Sequence, residues 1–148
     1  MYHTVCGVYR IAHKCKEREV PRKFLIIWEL PQILLAIILY AIMKKRIIQA
    51  IDYKDSKVFF VKDFPGGISL SFMIFLNDID LKNLKAIKHE YGHTIQSLYL
   101  GWFYLVIVGV PSIIRASIWK HYKLEDKKYY EGFPENWADL LGGINKME

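Results

Sequence analysis

His89-Glu90-Tyr91-Gly92-His93, with its flanks KHEYGHTIQS (88–97), is the stretch on which the reading of this chain turns. Leu81, Leu84, Ile87, Tyr91, Ile95 and Leu98 recur at helical spacing around it, so an amphipathic helix is expected, with that stripe packed inward. On a helix the i, i+4 spacing stacks the two imidazoles one turn apart on one face. Two neutral ring nitrogens so placed can occupy adjacent corners of one tetrahedral Zn²⁺. Glu90 lies about 100° round the helix from His89, beside such an ion rather than on it, where a general base takes a proton from a metal-held water. Gly92 costs about 1 kcal/mol against alanine in a helix interior; its expected use is to admit a close neighbour. Asn77, Asp78 and Asp80 are candidate caps for the helix.

A hydrolytic zinc site takes three protein ligands and leaves the fourth position to water. The glutamates after His93 are Glu125, Glu131, Glu135 and Glu148, and only Glu135 has an aspartate four places on, in Glu135-Asn136-Trp137-Ala138-Asp139. On one helix face Glu135 can ligate while Asp139 accepts the far N–H of a ligand histidine, which sets its tautomer and orientation. Pro134 suits the first turn of that helix, where a missing N–H costs nothing.

With these two motifs the chain resembles the gluzincins, zinc peptidases with an H-E-x-x-H helix and a glutamate ligand from a downstream E-x-x-x-D helix. More closely, KHEYGHTIQS, GGISLSFMIFLND, WELPQ and ENWADLLGG resemble a group of small bacterial membrane proteins, over about residues 24–144. The resemblance implies one Zn²⁺ per chain on His89, His93 and Glu135, with Glu90 as base and Asp139 behind a ligand histidine. Site-2-type membrane proteases also carry H-E-x-G-H but draw a third ligand from L-D-G. That tripeptide is absent here, which favours the glutamate plan.

The chain of 148 residues suits one domain with a real core. Cys6 and Cys15 are too few for a disulfide scaffold. With His3 and His13 they fit no common zinc module. The net charge of +6 is spread along the chain, without the clustering or aromatic signature of a nucleic-acid binder. Arg22-Lys23 and Lys44-Lys45-Arg46 instead flank the apolar segment 24–43, as expected beside anionic lipid headgroups.

That segment has the length of a membrane span, interrupted by Glu29, Pro31 and Gln32. Residues 98–114 are also uncharged. A clean crossing there would separate His93 from Glu135, and both must reach one ion at about 2 Å. Segment 98–114 is therefore expected to dip in and return, with breaks at Gly101, Gly109 and Pro111, or to lie at the interface. Otherwise the site sits at membrane depth in a protein-lined cavity.

Residues 58–61 (VFFV) and 68–76 (ISLSFMIFL) read as two strands of a hairpin joined by 62–67. In gluzincins the strand before the zinc helix is a sheet edge that pairs with extended substrate, so residues 69–76, led by Ser69, Leu70, Ser71, Phe72, Met73 and Ile74, are the candidate substrate strand. His121, Tyr129 and Tyr130 are candidate donors to a developing oxyanion.

The expected fold class is thus α+β and zincin-like: mainly helical, with a small antiparallel hairpin or sheet beside the H-E-x-x-H helix and one or two membrane-associated apolar helices. A polar segment, 1–23, precedes a single domain, 24–148. The expected function is zinc-dependent hydrolysis of a peptide or protein near the lipid bilayer of a bacterial cell, with no nucleic-acid partner. The rival readings are a non-catalytic zinc-binding membrane protein and a membrane scaffold in which the motif is accidental.

Overall fold

A computed structural model describes residues 22–122 and 132–144; all but the end of the polar segment 1–23 lies outside them. The described chain is α+β. It opens with α1 (Arg22–Trp28) and α2 (Leu30–Met43). The break falls at Glu29, because Pro31, in the first turn of α2, has no N–H for the carbonyl of Ile27. The indole N–H of Trp102 donates to that carbonyl instead, at 2.7 Å.

Four strands follow. β1 (Ile47–Tyr53) and β2 (Ser56–Val61) form an antiparallel hairpin, and β3 (Gly67–Leu70) and β4 (Met73–Asn77) form a second. Their turns place Lys54 and Ser71 at φ 54°. The sheet order is β1-β2-β4-β3, with β2 and β4 parallel.

This corrects the expected hairpin between 58–61 and 68–76. The second run folds back on itself at Ser71-Phe72, and β2 takes β1 as its antiparallel partner. The physical reason is burial on both faces. Val58, Phe60, Ile74 and Leu76 pack toward Ile87 and Tyr91, while Phe59, Val61 and Phe75 pack toward Leu39 and Met43 of α2. Strands covered on both sides carry continuous apolar runs, and such runs lack the alternation that would reveal where one strand ends and which pairs with which.

The sheet therefore lies between α2 on one side and α3 (Leu84–Leu100) on the other. Asn83 caps α3 through the Ala86 N–H, whereas Asn77 caps the preceding 3₁₀ turn through Ile79; of the three expected caps, only Asn77 serves, and one turn early. At its C-terminal end α3 leaves carbonyls without helical partners. Trp28 Nε1 donates to that of Leu98, at 3.0 Å, and Gln32 Nε2 to that of Gly101. Gly101 has φ 51°, and a Cβ there would meet the Trp28 ring at 2.2 Å.

After Gly101 the chain turns sharply. The helical stretches Leu84–Phe103 and Leu105–Ile118, the latter running into α4 (Val110–Tyr122), meet at 120°. Segment 98–114 is thus bent once, between Phe103 and Leu105 just after Gly101, and stays helical through Gly109 and Pro111, where breaks were also expected; no single helix among the described residues is long and apolar enough to cross a membrane. Leu34, Ile37, Ile38 and Ile42 on α2, and Phe103, Val106, Ile113 and Ile114 beyond the bend, are all exposed.

The last described helix, α5 (Glu135–Gly142), crosses α3 at backbone contact. A Cβ on Gly92 would lie 1.9 Å from the Ala138 carbonyl oxygen, and one on Gly142 would lie 2.0 Å from that of Lys88. Gly92 thus admits the close neighbour its position suggests. Gly92→Ala should destabilise the protein by about 1–3 kcal/mol, as overpacking does, because the helices must part by more than the roughly 1 kcal/mol of helix propensity can offset. Denaturant unfolding checks this; unchanged or raised stability would refute so close a crossing.

Candidate metal centre

The α3–α5 crossing brings the expected ligands together. His89, His93 and Glu135 are all buried, and their ligand atoms lie within 4.8 Å of one another. Glu135 Oε2 lies 2.9 Å from His89 Nε2 and 3.2 Å from His93 Nε2. Tetrahedral ligands at about 2.0–2.1 Å from zinc stand roughly 3.3 Å apart, close to the distance of each imidazole nitrogen from Glu135 Oε2.

Each of the three side chains is held from behind. Asp139 Oδ1 accepts from His89 Nδ1 at 2.7 Å. The same role at His93 falls to Gln96, whose Oε1 accepts from Nδ1 at 2.7 Å while its Nε2 donates to the Pro134 carbonyl at 3.1 Å. Both rings therefore turn Nε2 toward Glu135, the tautomer a metal requires. The second oxygen of Glu135 accepts from the Ser112 hydroxyl of α4 at 2.6 Å, which leaves Oε2 to ligate alone.

Glu90 is buried but stands outside the triad. Its Oε2 accepts from the Ser69 hydroxyl of β3 at 2.5 Å. Gly67 on the same strand comes so close that a Cβ would lie 2.0 Å from Oε1. The carboxyl thus sits between α3 and the free edge of the sheet.

The candidate substrate strand needs correction. Only Ser69 and Leu70 lie on the edge strand β3; Ser71 and Phe72 form the turn. Met73 and Ile74 belong to β4, which is paired with β2 on one side and β3 on the other, so neither can offer its backbone to a substrate. Even at the edge, the Ser69 carbonyl already accepts from the Tyr104 hydroxyl at 3.1 Å. His121 falls in α4 but its side chain, like Tyr129 and Tyr130 altogether, lies outside the described residues.

Gln96, Ser112 and Tyr104 escaped the sequence reading. Gln96 left a faint signal, three residues after a ligand histidine and so on its face. Ser112 and Tyr104 left none, since only the bend after Gly101 brings them to the site.

Charge and burial are matched here. Burial works against a charge on His89, but the hydrogen bonds to Asp139 and Glu135 outweigh it and push the imidazole pKa up to about 10. Burial likewise opposes the Glu135 charge, yet the bonds from His89 and His93 hold that carboxyl well below the usual range. Without metal, both shifts favour the charged forms, an imidazolium beside a carboxylate. No family model, curated protein or solved structure matches the chain.

Titration with zinc should give one tight equivalent per chain, abolished in His89→Ala and Glu135→Ala. Asp139→Asn should weaken it by about 10–100-fold, as loss of a partner behind a ligand does. Tight binding surviving in Glu135→Ala would break the assignment.

The metal must displace the proton on His89, whose pKa is raised, so affinity should strengthen as pH rises. The expected slope is about tenfold per unit between roughly pH 6 and pH 8, with about one proton released per ion. Calorimetry in buffers of different ionisation heat measures the proton count; a value near zero would contradict the pairing.

Proposed function

We propose that the chain is a zinc-dependent, membrane-associated metallopeptidase of gluzincin type. The observation that carries this reading is the placement of Glu90: a buried carboxyl beside the His89–His93–Glu135 cluster, aimed at a sheet edge and serving no ligand role. A metal site with a purely structural task has no use for such a group. Two imidazoles and one carboxylate are the donor set of a hydrolytic zinc site that keeps a position open. When bound, zinc would polarise the scissile carbonyl and bring a water's acidity near neutrality. Glu90 then removes a proton from that water and returns it to the departing amine. The edge strand β3 offers backbone groups near Gly67 to an extended chain.

The membrane part of the reading rests on the exposed aliphatic residues of α2 and of the chain beyond Gly101. Aliphatic surface of this extent rimmed by charge marks a partner or a membrane, and Lys44-Lys45-Arg46 stand at the end of α2. A bilayer surface matches both, with the cations at headgroup level. The substrate is then a peptide or protein that lies close to the bilayer.

Glu90→Gln tests the chemistry directly. The amide keeps the size of the side chain and cannot take a proton, so cleavage of a membrane-borne peptide should fall by about 10²–10⁴-fold while zinc stays bound. Undiminished cleavage by the variant would rule out the mechanism. A parent protein that binds zinc and cleaves nothing would instead favour the non-catalytic reading, and one that binds no zinc the scaffold.

A further inference from the structure

Ser69 does more at this site than line an edge. It is buried, and its hydroxyl lies 2.5 Å from Glu90 Oε2 and 2.9 Å from the Glu90 carbonyl oxygen. A hydroxyl has one proton to donate and lone pairs with which to accept. Two acceptors on the same residue therefore compete for one hydrogen, and rotation about a single C–O bond decides which receives it.

We infer that Ser69 is a positioning residue that holds the Glu90 carboxyl in one orientation by its Oε2, an inference that rests on the proteolytic reading above. While Glu90 is a carboxylate, the Ser69 proton goes to Oε2, a charge-assisted bond of the strong kind. A proton that Glu90 takes from water arrives on the other oxygen, Oε1. Oε2 then goes on accepting from the Ser69 hydroxyl, as it did before. No heavy atom moves, and each form of the carboxyl has a partner. Gly67 leaves Oε1 the space that a Cβ would otherwise fill, at 2.0 Å. The Tyr104 hydroxyl fastens the strand itself through the Ser69 carbonyl. A base that keeps its position keeps its reach to the proton, which general acid–base catalysis requires.

A serine that merely fastens β3 to α3 would show in stability and zinc affinity, not in turnover alone. The full zinc-loaded chain is compared with Ser69→Ala, Ser69→Thr and Ser69→Cys; cysteine keeps the shape of the side chain, slightly enlarged, but is a weak donor and acceptor. Ser69→Ala and Ser69→Cys should keep one zinc and an unchanged KM while kcat falls about 10–100-fold, the usual size of such supporting losses. Ser69→Thr should recover most of the rate. In the metal-free chain labelled with ¹³C at glutamate carboxyls, the Glu90 signal, assigned by its loss in Glu90→Gln, should move in Ser69→Ala and stay in Ser69→Thr. Full kcat in Ser69→Cys, or an unmoved Glu90 signal in Ser69→Ala, would overturn the inference while leaving Glu90 as base. If the parent itself cleaves nothing, or Glu90→Gln cleaves normally, the proteolytic reading falls and takes the inference with it.

Discussion

A carboxylate removed from water has to be compensated where it stands. Glu135 is 1% exposed, and an unpaired charge at such depth would cost several kcal/mol. Its two oxygens meet two imidazoles and one hydroxyl, supplied by helices far apart in the sequence. The rest of the described structure can be understood as the means of bringing those groups to it. Glycines at 92 and 142 let α3 and α5 approach to backbone contact. The sheet supports α3 through Ile87 and Tyr91. Asp139 and Gln96 turn the imidazoles so that the same nitrogen of each faces inward.

The bend after Gly101 ties this centre to the apolar surface. Ser112, which bonds Glu135, lies on α4 beside the exposed Val110, Ile113 and Ile114. On the other side, Trp28 and Gln32 of the apolar arm bond the carbonyls at the end of α3, two turns beyond His93. Buried Glu29 accepts from the Ser97 hydroxyl of α3 and the Ser71 hydroxyl of the β3–β4 turn, and burial, partly offset by those two bonds, raises its pKa. The surface assigned to the bilayer and the groups assigned to chemistry therefore share helices and hydrogen bonds.

The parts of the site that were legible in the sequence are those written locally. His89, Glu90 and His93 occupy one helical turn, and Glu135 with Asp139 another, so spacing alone places each set. The α+β class was legible too, from helical periodicity beside short β-rich runs. The pairing of the strands was not: Val58 to Val61 and Met73 to Leu76 are apolar at nearly every position because both faces are covered, and Ile47–Tyr53 carries too little contrast to announce the edge strand it forms. Ser112 and Tyr104 reach the centre only through the bend after Gly101, and no short pattern encodes such a convergence.

X-ray absorption at the zinc edge, on the full chain loaded with one equivalent, tests the central claim most directly. Zinc on His89, His93 and Glu135 should give a low-coordinate shell of nitrogen and oxygen donors near 2.0–2.1 Å, with the multiple scattering of two imidazoles and no sulfur. In His89→Ala that pattern should be lost. A sulfur shell near 2.3 Å, which only Cys6, Cys15 or a methionine could supply, or a spectrum indifferent to His89 and Glu135, would show that the metal sits elsewhere and that the α3–α5 crossing was built for another purpose.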